Sequence, residues 1–230
     1  MPLPAFQLLE KKFEKQIRLF ELKRGAIEKK IETHFRRFAE RNRIPLDDGV
    51  RFIRSWIEKP LSIGAVTPSS RGLARAMAAY VDPNTKGPVI ELGPGTGPVT
   101  EALVAQGIDP ARLILLEFDP TFCRLLRKRY PAATVVQGDA YSLKRVLGSH
   151  LAEPAAAVVS GLPLFTKPLK SRLKLLYEAF ALMSPGAPFV QFTYATVPPI
   201  PKALDRVRSE ASERIWMNIP PARIWVYRKD

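Results

Sequence analysis

One cysteine and two histidines in 230 residues leave little room for redox or metal chemistry. Cys123 has no second cysteine, so no internal disulfide can form, a pattern that fits a reducing compartment. Placed on the helix expected after the second strand, Cys123 reads as a packing residue. His34 and His150 form no ligand cluster, read as surface residues, and leave no metal expected. No apolar run reaches the roughly 18 residues of a spanning helix, and the N-terminus lacks a secretory apolar core. Acids are also scarce: 22 Asp and Glu face 36 Lys and Arg, a formal net charge of +14. That excess suits RNA phosphates and anionic lipids alike. With 46% apolar residues the chain can bury a substantial core. It has no internal repeat and no long disordered tract.

The run Val89-Ile90-Glu91-Leu92-Gly93-Pro94-Gly95-Thr96-Gly97-Pro98-Val99-Thr100 leads apolar residues straight into glycines. It predicts a buried strand turning tightly into a helix, with a backbone that can approach a ligand closely. What the run lacks narrows the ligand. A phosphate-cradling P-loop needs Lys and Ser or Thr after its last glycine, and Pro98 and Val99 stand there. A dinucleotide fingerprint needs its third glycine one residue later, at Pro98. The next apolar run ends at Glu117, about twenty residues past the glycines, where an acid reaches ribose hydroxyls in such sheets. Glu117 is therefore the expected ribose anchor.

From Ile63 onward short apolar strands, expected at 88–92, 113–117, 134–137, 156–160 and 189–194, alternate with helical segments. This predicts a doubly wound sheet. Two further strands, at 214–219 and 223–228, flank the Pro220-Pro221 break and must run antiparallel. A boundary near Pro60 separates this domain, residues 61–230, from a leader over residues 1–60.

In the leader, Phe6, Leu9, Phe13, Ile17, Phe20, Ile27, Ile31, Phe35 and Phe38 recur at three- and four-residue steps, with Arg24 taking one position of the stripe. They mark one face of an amphipathic helix. Residues 1–43 carry twelve Lys and Arg against six Glu. A basic amphipathic helix with bulky aromatics is the pattern of an interfacial membrane anchor, although such a stripe also packs on its own domain or on a partner subunit. Phe52-Ile53-Arg54-Ser55-Trp56-Ile57 repeats the mixture.

The glycine run and Glu117 resemble the cofactor motifs of class I S-adenosylmethionine-dependent methyltransferases. Val135-Val136-Gln137-Gly138-Asp139-Ala140 resembles their adenine-side motif, and Ala157-Val158-Val159-Ser160-Gly161-Leu162-Pro163-Leu164-Phe165 the segment that floors their active site. The resemblance implies an α/β, Rossmann-like fold: a seven-stranded, mostly parallel sheet with a reversed last strand, here preceded by a helical extension. It also implies that the backbone at Gly93, Gly95 and Gly97 lines the cofactor's methionyl part and ribose. Glu91 belongs to the methionine end, Asp139 and Ala140 to the adenine, and Thr67 and Ser69 cover the amino-acid end, with Ser160 nearby.

Gly64-Ala65-Val66-Thr67-Pro68-Ser69-Ser70-Arg71-Gly72-Leu73-Ala74, with the glycine run and the floor segment, is similar to the bacterial phospholipid N-methyltransferases that convert phosphatidylethanolamine to phosphatidylcholine. Near relatives methylate ornithine lipids, which this sequence does not exclude. The likeness spans residues 56–228 and implies a cytoplasmic enzyme, peripheral on the inner face of the membrane, that transfers methyl groups to a lipid amine and leaves S-adenosylhomocysteine. The nearest rival is the ribosomal RNA adenine dimethylase family, whose floor reads Asn-Leu-Pro-Tyr where this chain has Gly161-Leu162-Pro163-Leu164. That family's C-terminal helical RNA-binding domain is absent too, so no nucleic-acid partner is expected. A non-enzymatic membrane scaffold is the remaining alternative.

A methylated amine ends without an N–H, so aromatic faces suit it better than hydrogen-bond partners. Tyr194, Phe165, Tyr141 and Trp56 are the candidates, each equally readable as core packing. Tyr194 and Phe165 rank first by their expected place at the C-terminal ends of strands. Ser160 is a polar candidate that alternatively caps a helix.

Overall fold

The structure is a computed structural model that describes residues 71–195, 197–201, 204–215 and 222–230. The leader, Trp56, Thr67 and Ser69 lie outside these residues. The described elements are α1 (Arg71–Ala78), β1 (Val89–Leu92), α2 (Pro98–Ala105), β2 (Leu113–Glu117), α3 (Pro120–Arg129), β3 (Thr134–Gln137), α4 (Leu143–Leu147), β4 (Ala157–Ser160), α5 (Leu169–Phe180), β5 (Phe189–Thr193), β6 (Val207–Ala211) and β7 (Arg223–Lys229). Strands β1 to β5 fall within one residue of the bounds expected from the apolar runs. None of the described helices is long and apolar enough to cross a membrane.

Seven strands form one sheet in the order β3-β2-β1-β4-β5-β7-β6. Pairs β1·β2, β1·β4, β2·β3 and β4·β5 are parallel, and β7 runs antiparallel to both β5 and β6. The expected mostly parallel sheet with a reversed last strand is what forms. On its other side β7 pairs with β6, at Val207–Ala211, a strand that the apolar runs did not mark; the strand expected at 214–219 lies largely outside the described residues, and its Ile215 makes an antiparallel bridge to Ala222. Only Val207 of β6 is buried, because an edge strand keeps most of its side chains in water and so carries no apolar run.

Successive side chains alternate between two cores, as strand geometry requires. Val89, Leu113, Leu115, Ala157, Val159, Val190 and Phe192 join Leu73, Met77 and Leu103 on one face. Ile90, Leu92, Ile114, Leu116, Val158 and Phe189 join Leu143, Leu175 and Leu176 on the other. Strands buried on both faces need near-continuous apolar sequence, which is why β1 and β2 were legible.

Strand order reverses between β1 and β4, and doubly wound sheets bind ligands outside the carboxyl ends of the strands at such a switch point. The loops there continue the ladder. Gly93 N–H donates to the Leu116 carbonyl at 2.9 Å, Gly161 N–H to the Leu92 carbonyl at 2.8 Å, and Gly138 N–H to the Glu117 carbonyl at 2.9 Å.

Candidate active site

The glycine turn follows β1 in a left-handed backbone: φ is 67° at Gly93, 56° at Gly95 and 84° at Gly97. Only glycine takes this region without steric cost. Gly97 caps α2, with Pro98 in its first turn, where the missing N–H of proline removes nothing a helix would use. From α3, Arg129 donates to the Thr96 carbonyl at 2.5 Å and Tyr130 to the Gly97 carbonyl at 3.4 Å, so the turn is held from one side. A Cβ at Gly95 would meet nothing within 4 Å, whereas one at Gly93 would lie 2.9 Å from Leu162 Cδ2. The turn therefore presents bare backbone to open space at Gly95, a cradle that a ligand can approach closely.

Glu117, at the end of β2, is buried, and its carboxylate gathers three backbone donors. Oε2 accepts from Gly95 N–H at 2.9 Å, and Oε1 from Phe118 and Asp119 N–H at 2.8 and 2.9 Å. Burial raises its pKa, and these three bonds oppose the rise. Glu91 sits on β1 and is also buried; its Oε2 accepts from the hydroxyl of Thr100 at 2.6 Å. Its pKa is pushed up to about 8, chiefly by burial, with the Glu117 charge adding to the rise and Thr100 opposing it. Asp139, exposed after β3, uses Oδ1 to accept from Tyr141 N–H at 2.9 Å, and Ala140 beside it is buried. Gly93, Gly95, Gly97, Glu117, Asp139 and Ala140 thus all lie at the carboxyl ends of β1, β2 and β3.

The floor turn leaves β4. Ser160 is fully buried and its Oγ accepts from Leu162 N–H at 3.3 Å, so the hydroxyl caps this turn. A Cβ at Gly161 would stand 2.8 Å from the Gly93 carbonyl oxygen and 3.5 Å from that of Leu92. The floor and the glycine turn touch through backbone, and residue 161 has no space for a side chain. Leu164 is buried in the core, while Phe165 is 45% exposed.

The four aromatic and hydroxyl candidates divide between the faces of the sheet. Tyr141 packs with the core that includes α4 and α5, and Phe165 meets Arg172 of α5. Tyr194 instead packs against the opposite core, its ring edge-on to Phe192 with centroids 5.4 Å apart. Tyr141 and Phe165 each face a cation of the stretch 167–172, Tyr194 packs with the opposite core, and the Ser160 hydroxyl serves the floor turn. Burial pushes the Tyr141 phenol up to about 12, so near neutral pH it is a donor and not a base. Cys123 is buried in α3, its thiol 3.5 Å from the Glu117 carbonyl, which agrees with a packing role.

Two residues escaped the sequence reading. Gln191 is buried on β5, paired in register with Ser160. Its Nε2 donates to the Leu162 and Phe192 carbonyls at 2.9 and 2.8 Å, tying the floor to β5, and its Oε1 is buried without a partner. A lone polar residue inside Phe189-Val190-Gln191-Phe192 was the available signal. Phe118, next to Glu117, stands 75% exposed, a large apolar ring that folding leaves uncovered.

A doubly wound sheet with a reversed β7, bare glycine backbone at the switch point and a buried acid closing the next strand define a nucleoside-binding transferase fold. The chain belongs to the class I S-adenosylmethionine-dependent methyltransferases. The model of the ribosomal RNA adenine dimethylase family matches residues 71–152. An ornithine lipid N-methyltransferase of Singulisphaera acidiphila is 32% identical over 151 residues, covering 64% of this chain and 79% of that protein. A ribosomal RNA small subunit methyltransferase A of Synechococcus is 35% identical over 94 residues, 39% of this chain and 29% of that protein. Among solved structures, an O-methyltransferase of Bacillus cereus in complex with S-adenosylhomocysteine aligns over 87% of this chain and all of its own, at TM-score 0.52 and 15% identity. TrmN of Thermus thermophilus aligns over 76% of this chain and 53% of its own, at TM-score 0.54 and 18% identity. S-adenosylmethionine is the cofactor, and the open cradle at Gly95 fits it.

Proposed function

We propose that this chain is a peripheral membrane enzyme that methylates the primary amine of a membrane lipid, ornithine lipid first. The similarity to the Singulisphaera acidiphila protein carries this reading, because it takes in 79% of that relative and not the cofactor half alone. The family match to the RNA dimethylases ends at residue 152, before the floor begins. At the floor, Gly161 replaces the asparagine of the RNA enzymes in a position whose Cβ would strike the Gly93 carbonyl at 2.8 Å. Leu164, where those enzymes carry tyrosine, is buried. An adenine amine would find neither carboxamide nor ring. Phosphatidylethanolamine is the second reading, supported by the motif over residues 64–74.

In this proposal the backbone of Gly93, Gly95 and Gly97 holds the cofactor's methionyl part and ribose, Glu117 takes the ribose hydroxyls and Asp139 the adenine amine. The bound cofactor supplies an electrophilic methyl on a sulfonium, and S-adenosylhomocysteine leaves. The chain's own task is to present a free amine in line with that methyl. An alkyl ammonium has a pKa near 10, so roughly one molecule in a thousand is a free amine at neutral pH. Desolvation against Leu162 and Phe165 favours the neutral form, and the proton leaves to solvent water before the amine attacks. The ring faces of Phe165 and Tyr141 that Arg172 and Lys167 leave uncovered then stabilise the methylated cation that forms.

The test is transfer of isotope-labelled methyl to ornithine-lipid vesicles, phosphatidylethanolamine vesicles and unmodified ribosomal RNA in parallel, with products identified by mass spectrometry. Label in ornithine lipid supports the first reading, and label confined to phosphatidylethanolamine moves the assignment to the second. Label in adenine overturns both.

A further inference from the structure

Beyond the floor turn lies a cluster of cations and aromatic rings that the cofactor does not engage in this reading. Arg172, in the first turn of α5, is its centre. Nη1 donates to the Pro199 carbonyl at 2.5 Å, and the guanidinium carbon lies 5.1 Å from the centroid of the Phe165 ring. These two contacts fix the plane of the group and use only one of its corners. The Nε–H is buried without an acceptor, and no carboxylate pairs with Arg172 among the described residues. The Tyr141 hydroxyl, on which the charges of Asp139 and Arg172 both act, is likewise buried without a partner. Lys167 holds its ammonium 5.2 Å from the centroid of the Tyr141 ring.

Buried polar groups are nearly always paired, so two orphan donors in one cationic cluster mark the place of a missing acceptor. The first turn of α5 sharpens the point. It holds Lys170 and Arg172 and no acid, the reverse of what the positive end of a helix favours. An anion there would satisfy the orphans and offset the crowded charge together.

We propose that Arg172, Tyr141 and Lys167 form a receptor for the anionic group of a zwitterionic lipid headgroup, the phosphate or carboxylate that lies a few bonds from the amine to be methylated. The inference rests on the lipid-amine reading above. With Nη1 held by Pro199, the edge of Nε and Nη2 remains, and this fork matches two oxygens of one anion. Tyr141 keeps its proton near neutral pH and adds an O–H donor, and Lys167 supplies charge at the exposed side. Phe165 lies beneath the guanidinium and four residues beyond Gly161, so an anion seated here leaves the amine directed back toward the floor. The site selects lipids that carry both charges over plain amines.

Full-length protein and the variants Arg172→Lys, which keeps the charge and loses the fork, and Lys167→Ala test this. Substrates are ornithine lipid, phosphatidylethanolamine and octadecylamine, each in micelles of an uncharged detergent. Arg172→Lys is expected to raise KM for both zwitterionic lipids about tenfold or more, the order of one charge-assisted bond. KM for octadecylamine and affinity for S-adenosylhomocysteine should hold. Equal losses on octadecylamine, or no change on any substrate, overturn the receptor. A second readout needs no methyl transfer: thermal stability titrated with sodium phosphate or acetate against chloride at equal ionic strength. A saturable rise in wild type that Arg172→Lys abolishes supports the receptor even if no lipid is methylated, in which case only the lipid reading falls. No rise in wild type overturns the receptor whatever the activity. If Arg172→Lys loses S-adenosylhomocysteine binding, the exposed Lys167→Ala carries the same comparison, with a smaller rise in KM expected and none overturning the proposal.

Discussion

The N–H of Gly95 donates to Oε2 of Glu117 across 2.9 Å and joins the glycine turn after β1 to the end of β2. The other oxygen of Glu117 serves Phe118 and Asp119. One carboxylate therefore shapes both loops that frame the proposed ribose site. Glu117→Gln keeps the volume but supplies a single acceptor, so one of the two loops faces an amide NH₂ instead. Affinity for S-adenosylhomocysteine should fall about tenfold to a hundredfold, the size expected for hydrogen bonds to a charged group at ~1.5–3 kcal/mol. Calorimetry reads this directly, and an unchanged affinity removes Glu117 from the ribose.

Gly95 and Gly161 should fail in different ways. Alanine at Gly95 meets nothing within 4 Å but must hold φ near 56°, at a cost of about 1–2 kcal/mol. Its Cβ also fills the cradle, so cofactor affinity should drop far more than stability. Alanine at Gly161 meets the Gly93 carbonyl at 2.8 Å, backbone that no rotamer can relieve. Gly161→Ala should therefore lower Tm more than Gly95→Ala does, by scanning calorimetry of the two apo variants. The reverse order would mean that the floor and the turn are free to part.

Much of this arrangement was legible because buried parallel strands write themselves as apolar runs. Leu113–Glu117, buried along its whole length, was bounded by composition alone, and the glycines announced the turn. Burial did not mark β6, whose Arg208, Ser209 and Glu210 face water or only partly leave it. Strand parity likewise places Tyr194 with Phe192, in the core opposite the one that Tyr141 packs with. Arg172 was invisible because its meaning lies in an unpaired atom, and sequence does not record which donors find acceptors.

Glu91 gives the fold a pH dependence with a definite sign. Its folded pKa of about 8 lies above the ordinary value of 4.5, so the folded state holds a proton that the unfolded state releases. Between those two values the unfolded chain binds fewer protons, and stability falls as pH rises. Each pKa unit corresponds to about 1.4 kcal/mol, so the decline amounts to several kcal/mol and is complete above pH 8. Glu91→Gln should flatten this limb while leaving other transitions in place. Urea unfolding of both proteins from pH 5 to pH 9 provides the comparison, and parallel curves would show that Glu91 stays ionised in the fold.

Under the lipid reading proposed above, the leader is expected to bring the enzyme to its substrate, because a bilayer lipid does not come to the enzyme. Drawing a two-chain lipid out of a bilayer costs about 0.8 kcal/mol per CH₂, so roughly thirty methylenes demand more than 20 kcal/mol. Meeting the headgroup at the bilayer surface avoids that cost. Each basic residue near an anionic leaflet contributes on the order of 1 kcal/mol before screening, and residues 1–43 carry six more basic residues than acidic ones. The Phe and Ile stripe adds a part that salt does not remove. Removing residues 1–44 should therefore abolish flotation with anionic liposomes, while the remaining chain binds S-adenosylhomocysteine as before. In the full chain, salt should weaken flotation without eliminating it. Undiminished flotation after the deletion would place the membrane contact on the methyltransferase domain itself, where the exposed Phe165 and Leu169 beside Lys167 and Lys170 would be the residues to change next.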